Sequence, residues 1–282
     1  MNEILTTTIR ITTLVFLISC TSGIGMGLKW QQLVTPFKSA KLVVVAVTAN
    51  FILTPLLAVG IARLLRLDEP IALGLLLLGL AAGAPFMPTV VGMAKGDQAL
   101  AVGLMVLLMV GTTISLPVAL PLLVTGVRVN TWEIARFLLQ LMLAPLAAGL
   151  VVKAFAESAA AQLRPVLERV SNLALLVLVV LIVAVHFQGV LRIFGSGAIL
   201  AAMLFTVLSS LTGWLLGGSN AALRTALGLG TGLRNIPAAL IVGVQNFKDP
   251  NVPVMIVVTT LTGIFILLPA ARMIGKRAIA SH

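Results

Sequence analysis

Ile71-Ala-Leu-Gly-Leu-Leu-Leu-Leu-Gly-Leu-Ala-Ala-Gly-Ala-Pro-Phe-Met-Pro-Thr89 is long and apolar enough to enter a bilayer, yet it carries two prolines and three glycines near its middle and end. A second stretch, Thr225-Ala-Leu-Gly-Leu-Gly-Thr-Gly-Leu-Arg-Asn-Ile-Pro237, repeats the pattern. Both contain Ala-Leu-Gly-Leu, at 72–75 and 226–229, and both reach proline 8 to 13 residues later. Proline removes an intrahelical hydrogen bond and disfavours helix in the residue before it, and glycine lowers the cost of unwinding. Interrupted apolar segments at corresponding places in two halves point to a binding site near the membrane midplane. Two ordinary proline kinks are the plain alternative.

The rest of the chain supplies the membrane setting. Of 282 residues, 60% are hydrophobic and 10% charged, and the mean hydropathy is +1.15. A soluble surface usually needs about 25% charged residues. Apolar runs of 18 or more residues match the length that crosses about 30 Å of hydrocarbon as helix, and period-2 alternation is missing, so the spans are helical and not a barrel. Nine spans are predicted, at roughly 4–27, 39–65, 70–94, 98–125, 131–155, 168–188, 196–218, 221–246 and 252–275. Met1-Asn2-Glu3-Ile4 lacks the basic start of a signal peptide, so the first stretch is read as a span. The single cysteine, Cys20, excludes an intrachain disulfide.

Charge placement gives orientation and removes competing functions. The net charge of +11 is spread over short loops, where it orients helices and meets headgroups, so nucleic acid is not expected as a partner. Eleven basic residues follow odd-numbered spans or the C-terminus, among them Lys29, Lys95, Lys153 and Lys276, against six or seven on the other side. That bias puts the C-terminus in the cytoplasm and the N-terminus outside, in a plasma (inner) membrane. All eight carboxylates lie at span ends or in loops. A membrane enzyme would need an acid/base pair or a metal cluster, and the histidines are only His186 and His282. No enzyme, cofactor or bound metal is therefore expected. His186 reads as an interfacial polar residue, with a substrate contact as its alternative.

Arg234 stands out. It lies mid-span with no carboxylate to pair with, and a guanidinium there costs at least about 2.5–3.5 kcal/mol on insertion scales. It must face a polar cavity, or be satisfied by carbonyls of the broken helices together with Asn235 or Asn50. Arg10 poses the same question at a span end, where snorkelling to the interface competes with facing a cavity.

The run Ile24-Gly-Met-Gly-Leu28, Pro36-Phe-Lys38, Asn50-Phe-Ile-Leu-Thr-Pro55, Ala94-Lys-Gly-Asp-Gln-Ala-Leu100, Pro117-Val-Ala-Leu-Pro121, Pro145-Leu-Ala-Ala-Gly149 and Arg224 to Asn235 resembles the bile acid:sodium symporter family. The resemblance implies inverted helical repeats, two crossing broken helices and alternating access. It divides the chain into a core domain, 39–125 plus 196–275, and a panel domain, 1–28 plus 131–189. The chain is similar to a nine-helix member lacking the first panel helix. Family substrates range over bile acids, other steroid conjugates and small carboxylates, so the implied partner is a small organic anion.

At the sodium sites the sequence departs from the family pattern. The family's acidic residue falls at Gly230 or its neighbour, its following glutamine at Arg234, and only Asn235 is kept. The Ser-Asn of the first crossover is replaced by Pro85-Phe-Met-Pro88, and a sodium-serving glutamine corresponds to Asn50. Thr112 and Thr113 keep hydroxyls in the fourth span. These departures predict no sodium binding, and an anion site built from Arg234, Asn235, Thr231, Thr89, Asn50, Thr112 and Thr113. A conventional sodium-coupled symporter and a non-transporting sensor of the same fold are the alternatives.

Overall fold

A computed structural model describes residues 3–34, 36–124, 130–185 and 195–280. His186 and His282 lie outside the described residues. The described residues form helices joined by short turns: α1 (Glu3–Gly27), α2 (Ala40–Leu64), α3 (Glu69–Leu80), α4 (Met87–Met93), α5 (Gln98–Leu123), α6 (Thr131–Phe155), α7 (Glu157–Val185), α8 (Ala198–Leu216), α9 (Ala221–Gly232), α10 (Ile236–Asn246) and α11 (Asn251–Ala280). Eight stretches, with α9 and α10 counted as one, have the length and apolar character to cross a membrane. The third predicted span is instead divided into helices of 12 and 7 residues, each too short to cross alone.

Both interruptions expected from the sequence are present. α3 stops at Leu80 and α4 starts at Met87, whereas the prolines had placed the first break at 85–88. The reason is positional. Pro88 sits in the first turn of α4 and Pro237 in the first turn of α10, where a missing N–H is no loss and the fixed φ favours helix. The prolines start the second half-helices; they do not end the first ones. The second break occupies Leu233–Asn235.

The two breaks meet. The Asn235 N–H donates to the Ala81 carbonyl at 2.9 Å, and the Thr112 hydroxyl on α5 accepts from Ala82 N at 2.9 Å and donates to Ala82 O at 3.0 Å. Gly83 has φ +81°, and a Cβ there would lie 2.5 Å from Met109 N and 2.7 Å from Met105 O. Only glycine allows the broken strand to lie against the α5 backbone this way.

Proline shapes two more helices. Wide π turns at Thr48–Leu53 in α2 and Leu139–Leu143 in α6 each lie just before a proline, Pro55 and Pro145. The proline ring clashes with the carbonyl four residues back, and the widened turn relieves it. The π turn of α2 carries Asn50, fully buried.

α1 packs along α7 and the second half of α6, while α8 packs on α9, and α11 on α3 and α8. The α1–α6 contact is made by glycines: a Cβ on Gly25 would lie 3.0 Å from Gly149 Cα, a close backbone approach typical of membrane helix pairs. The sixth predicted span began at residue 168, but its helix begins at Glu157. Residues 157–170 are rich in good helix formers, and Arg164 pairs with Glu168 at 2.7 Å one turn on.

Replacing Gly83 with alanine is expected to lower stability by about 1–3 kcal/mol, because a side chain is forced into a left-handed conformation against backbone. Thermal unfolding of the detergent-solubilised protein checks this, and an unchanged midpoint would show that the break does not need its close approach to α5.

Candidate functional site

The last carbonyls of any helix lack intrahelical partners and carry its partial negative charge. At the crossing, the C-terminal ends of α3 and α9 come together inside the bundle, and one side chain answers both. Arg234 is only 6% exposed. Its Nε donates to Leu78 O at 2.8 Å and Nη2 to Gly79 O at 2.6 Å, both in the last turn of α3. Nη1 donates to Thr231 O in the last turn of α9, at 3.2 Å, and to Asn50 Oδ1 at 2.9 Å. Asn50 Nδ2 in turn donates to Thr231 Oγ1 at 3.3 Å and to Ala46 O at 3.0 Å. Four of the five guanidinium donors are thus engaged, leaving one Nη2 N–H.

Beside this network lies a cavity of about 250 Å³, lined by Arg234, Phe86 and Thr89 at the breaks, by Phe205 and Thr206 of α8, by Thr259 of α11, and by Leu175 of α7. The walls are chiefly apolar. Thr259 is 4% exposed and its hydroxyl has no hydrogen-bond partner among the described residues. An unpartnered buried hydroxyl on a cavity wall is a ready contact for a polar ligand group.

The seven residues selected from the sequence separate into distinct roles. Arg234, Asn50 and Thr231 form one network. Thr112 and Asn235 tie the breaks, and Asn235 also caps α10 through Oδ1, which accepts from Ala238 N at 3.1 Å. Thr113 donates to Met109 O of its own helix. Of the seven, only Arg234 and Thr89 line the cavity. Thr206 and Thr259 were missed, because a threonine in an apolar span ordinarily bonds the carbonyl four residues back, as Thr260 does to Ile256 O. Sequence carries no sign of which threonine departs from that habit.

No group of three or more His, Cys, Asp or Glu side chains clusters among the described residues, and Arg234 is the only charged side chain among the buried ones. At Gly230, which with its neighbour is where the resemblance implies an acidic residue, the space next to the backbone is filled by Met87, whose Sδ lies 2.7 Å from where a Cβ would stand. Met87, at the start of α4, thus packs directly against Gly230 of α9.

The crossing broken helices, set among long apolar helices, define an integral membrane protein of a transporter fold. Residues 14–193 match the sodium bile acid symporter family, and the chain belongs to that family. It is 28% identical over 200 residues to an uncharacterized sodium-dependent transporter of Bacillus subtilis, YocS, covering 69% of this chain and 60% of that protein. It is 26% identical over 252 residues to the probable chloroplastic sodium/metabolite cotransporter BASS6 of Arabidopsis thaliana, covering 85% of this chain and 62% of that protein. The chain therefore spans about six tenths of the length of the curated relatives it matches.

Removing the guanidinium leaves two helix-end carbonyls, Gly79 O and Thr231 O, and Asn50 Oδ1 without a donor in a buried interior, while Leu78 O keeps its bond from Ala81 N. Arg234→Met is expected to destabilise the fold by about 2–4 kcal/mol, with Arg234→Lys in between because an ammonium keeps the charge but cannot span both carbonyls. Chemical or thermal unfolding in detergent measures it. A stable Arg234→Met protein would mean that the network does not hold the crossing.

Proposed function

We propose that the chain carries a small organic anion across its membrane by alternating access, and that this transport does not use sodium. The observation that carries the second part is the place of the Arg234 guanidinium. It lies among helix-end carbonyls and an amide oxygen, the hard oxygens that a sodium ion would otherwise need. A guanidinium has only donors, so it fills a cation's place without being able to ligate one. Two unit charges about 4 Å apart repel by about 4 kcal/mol at an effective dielectric of 20. That weakens a neighbouring cation site by about a thousandfold.

In this reading Arg234 supplies permanently the charge that a coupled relative would take from its cation. It neutralises the two helix ends, and its remaining N–H faces the cavity where the substrate's anionic group sits. Thr89 and Thr259 complete that group's hydrogen bonding, and Phe86, Phe205 and Leu175 cover its apolar body. A volume of about 250 Å³ lies at the small end for ligand sites, which favours a compact anion over a steroid. Asn50 and Thr231 hold the guanidinium, while Thr112, Thr113 and Asn235 shape the crossing.

The architecture attached to this proposal is nine crossings in an inverted repeat, with α3–α4 counted as one broken crossing. The helices α1, α6 and α7 form a panel that moves against a core of α2–α5 and α8–α11. The packing of α1 on α6 and α7, and of α8 and α11 on the broken helices, supports that division. The N-terminus outside and the C-terminus in the cytoplasm follow from the basic residues. Proton coupling lacks a buried carboxylate among the described residues, so the driving force is the substrate's own gradient, in uniport or exchange. The relatives, a sodium-dependent transporter and a probable sodium/metabolite cotransporter by name, favour a second reading, a conventional sodium-coupled symporter.

Uptake of a panel of labelled carboxylates and sulfonates into proteoliposomes separates the two. Equal uptake with sodium, potassium or choline outside is expected, along with no sodium-specific gain in thermal stability. A saturable sodium dependence in either measurement restores the symporter. Arg234→Lys, which keeps the charge, is expected to raise the substrate KM by about tenfold through loss of the fork geometry.

A further inference from the structure

Arg10, left open between snorkelling and facing a cavity, lines one. A cleft of about 310 Å³ opens between α1 and α7 on one side and the α10–α11 connection on the other. Arg10 lines it from α1, Gln245 from the last turn of α10, and Lys248 from the α10–α11 connection. None of these three side chains has a hydrogen bond or ion pair to any described residue, although Asp249 lines the same cleft. Asp249 is occupied otherwise: its Oδ1 accepts from Asn251 N at 2.8 Å, capping the start of α11. Among the described residues, the charged groups lining the cleft are Arg10 and Lys248 against Asp249, a net positive set. Ile9, Ile182 and Phe247 supply apolar wall beside it.

The cleft lies on the same seam as the cavity at Arg234. Leu175 lines the inner cavity and Ile182 the cleft. They are two turns apart on one stripe of α7, about 10 Å along its axis. On α11 the corresponding pair is Ile264 and Pro253, about 16 Å apart. Leu178, between the two α7 positions, is fully buried and closes the seam there. One path along α7 and α11 thus holds two separated spaces. The inner one ends on a bound arginine, and the outer one carries free cationic side chains.

We propose that Arg10, Lys248 and Gln245 form a second anion site, which takes a small organic carboxylate at the mouth opposite the inner cavity before the seam opens. The two cations hold the carboxylate, the Gln245 amide donates a further hydrogen bond, and the apolar wall accepts the organic body. The site rests on the transport reading for its role but not for its existence. Because the cations are solvent-exposed, attraction is strong at low ionic strength and falls as salt rises.

The test uses the full chain with benzoate as the probe, by titration in detergent and by uptake into liposomes. Arg10→Gln and Lys248→Gln are each expected to weaken benzoate binding by about fivefold at low salt, with Arg10→Lys restoring it. Asp249→Asn keeps the cap oxygen and is expected to tighten binding, a gain that a merely structural role would not produce. In uptake, the two glutamine variants raise KM and leave kcat unchanged. Binding and its salt dependence unaltered in both glutamine variants, or no benzoate binding by the unaltered chain, overturns the site. If benzoate binds with the expected charge dependence but no anion is carried, the site stands and the transport reading fails.

Discussion

Two helices that end inside a membrane leave bare carbonyls where no water can reach them, and this structure depends on how those carbonyls are satisfied. α3 and α9 stop where the two breaks meet, at Leu80 and Gly232. The Arg234 guanidinium bridges Leu78 O and Gly79 O on one side and Thr231 O on the other. A mid-membrane arginine and a pair of interrupted helices would each be costly alone. Placed together, each removes the other's penalty. The remaining strain is taken by Thr112, which serves both polar groups of Ala82, and by Asn235, which caps α10.

That solution has a functional corollary. A crossing held by an ion that comes and goes changes its charge during each cycle, whereas a crossing held by a side chain keeps it. Beside that network the Met87 thioether packs against the Gly230 backbone. Polar residues lining the inner cavity are few: Arg234 and several threonines, Thr259 among them unpartnered, within apolar walls. Few polar contacts in an apolar space suit a ligand with one charged end.

The seam along α7 joins the two spaces through one physical rule. Residues seven apart return to the same helical face, so Leu175 and Ile182 present one stripe to both the cavity and the cleft. The contrast in their charge follows from depth. At the crossing, helix ends consume the guanidinium's donors. At the bundle end, Arg10 and Lys248 are near water and are left free.

Much of this was legible in the residues. Run length and the scarcity of charge gave membrane helices, because hydrocarbon thickness and backbone satisfaction leave few alternatives. The paired Gly/Pro stretches located both breaks, and Arg234 could be recognised as needing oxygen partners because no carboxylate shared its depth. Tertiary structure alone decided which oxygens these are. Leu78 and Gly79 lie more than 150 residues away in the chain, and a hydrogen bond across that distance depends on how two broken helices cross, which no local periodicity encodes. The same limit moved the first break from the prolines back to Ala81, where Ala82 and Gly83 meet Thr112 and the backbone of α5. It also hid Thr259 among ordinary threonines and kept the surroundings of Arg10 undetermined until the α10–α11 connection was placed against α1.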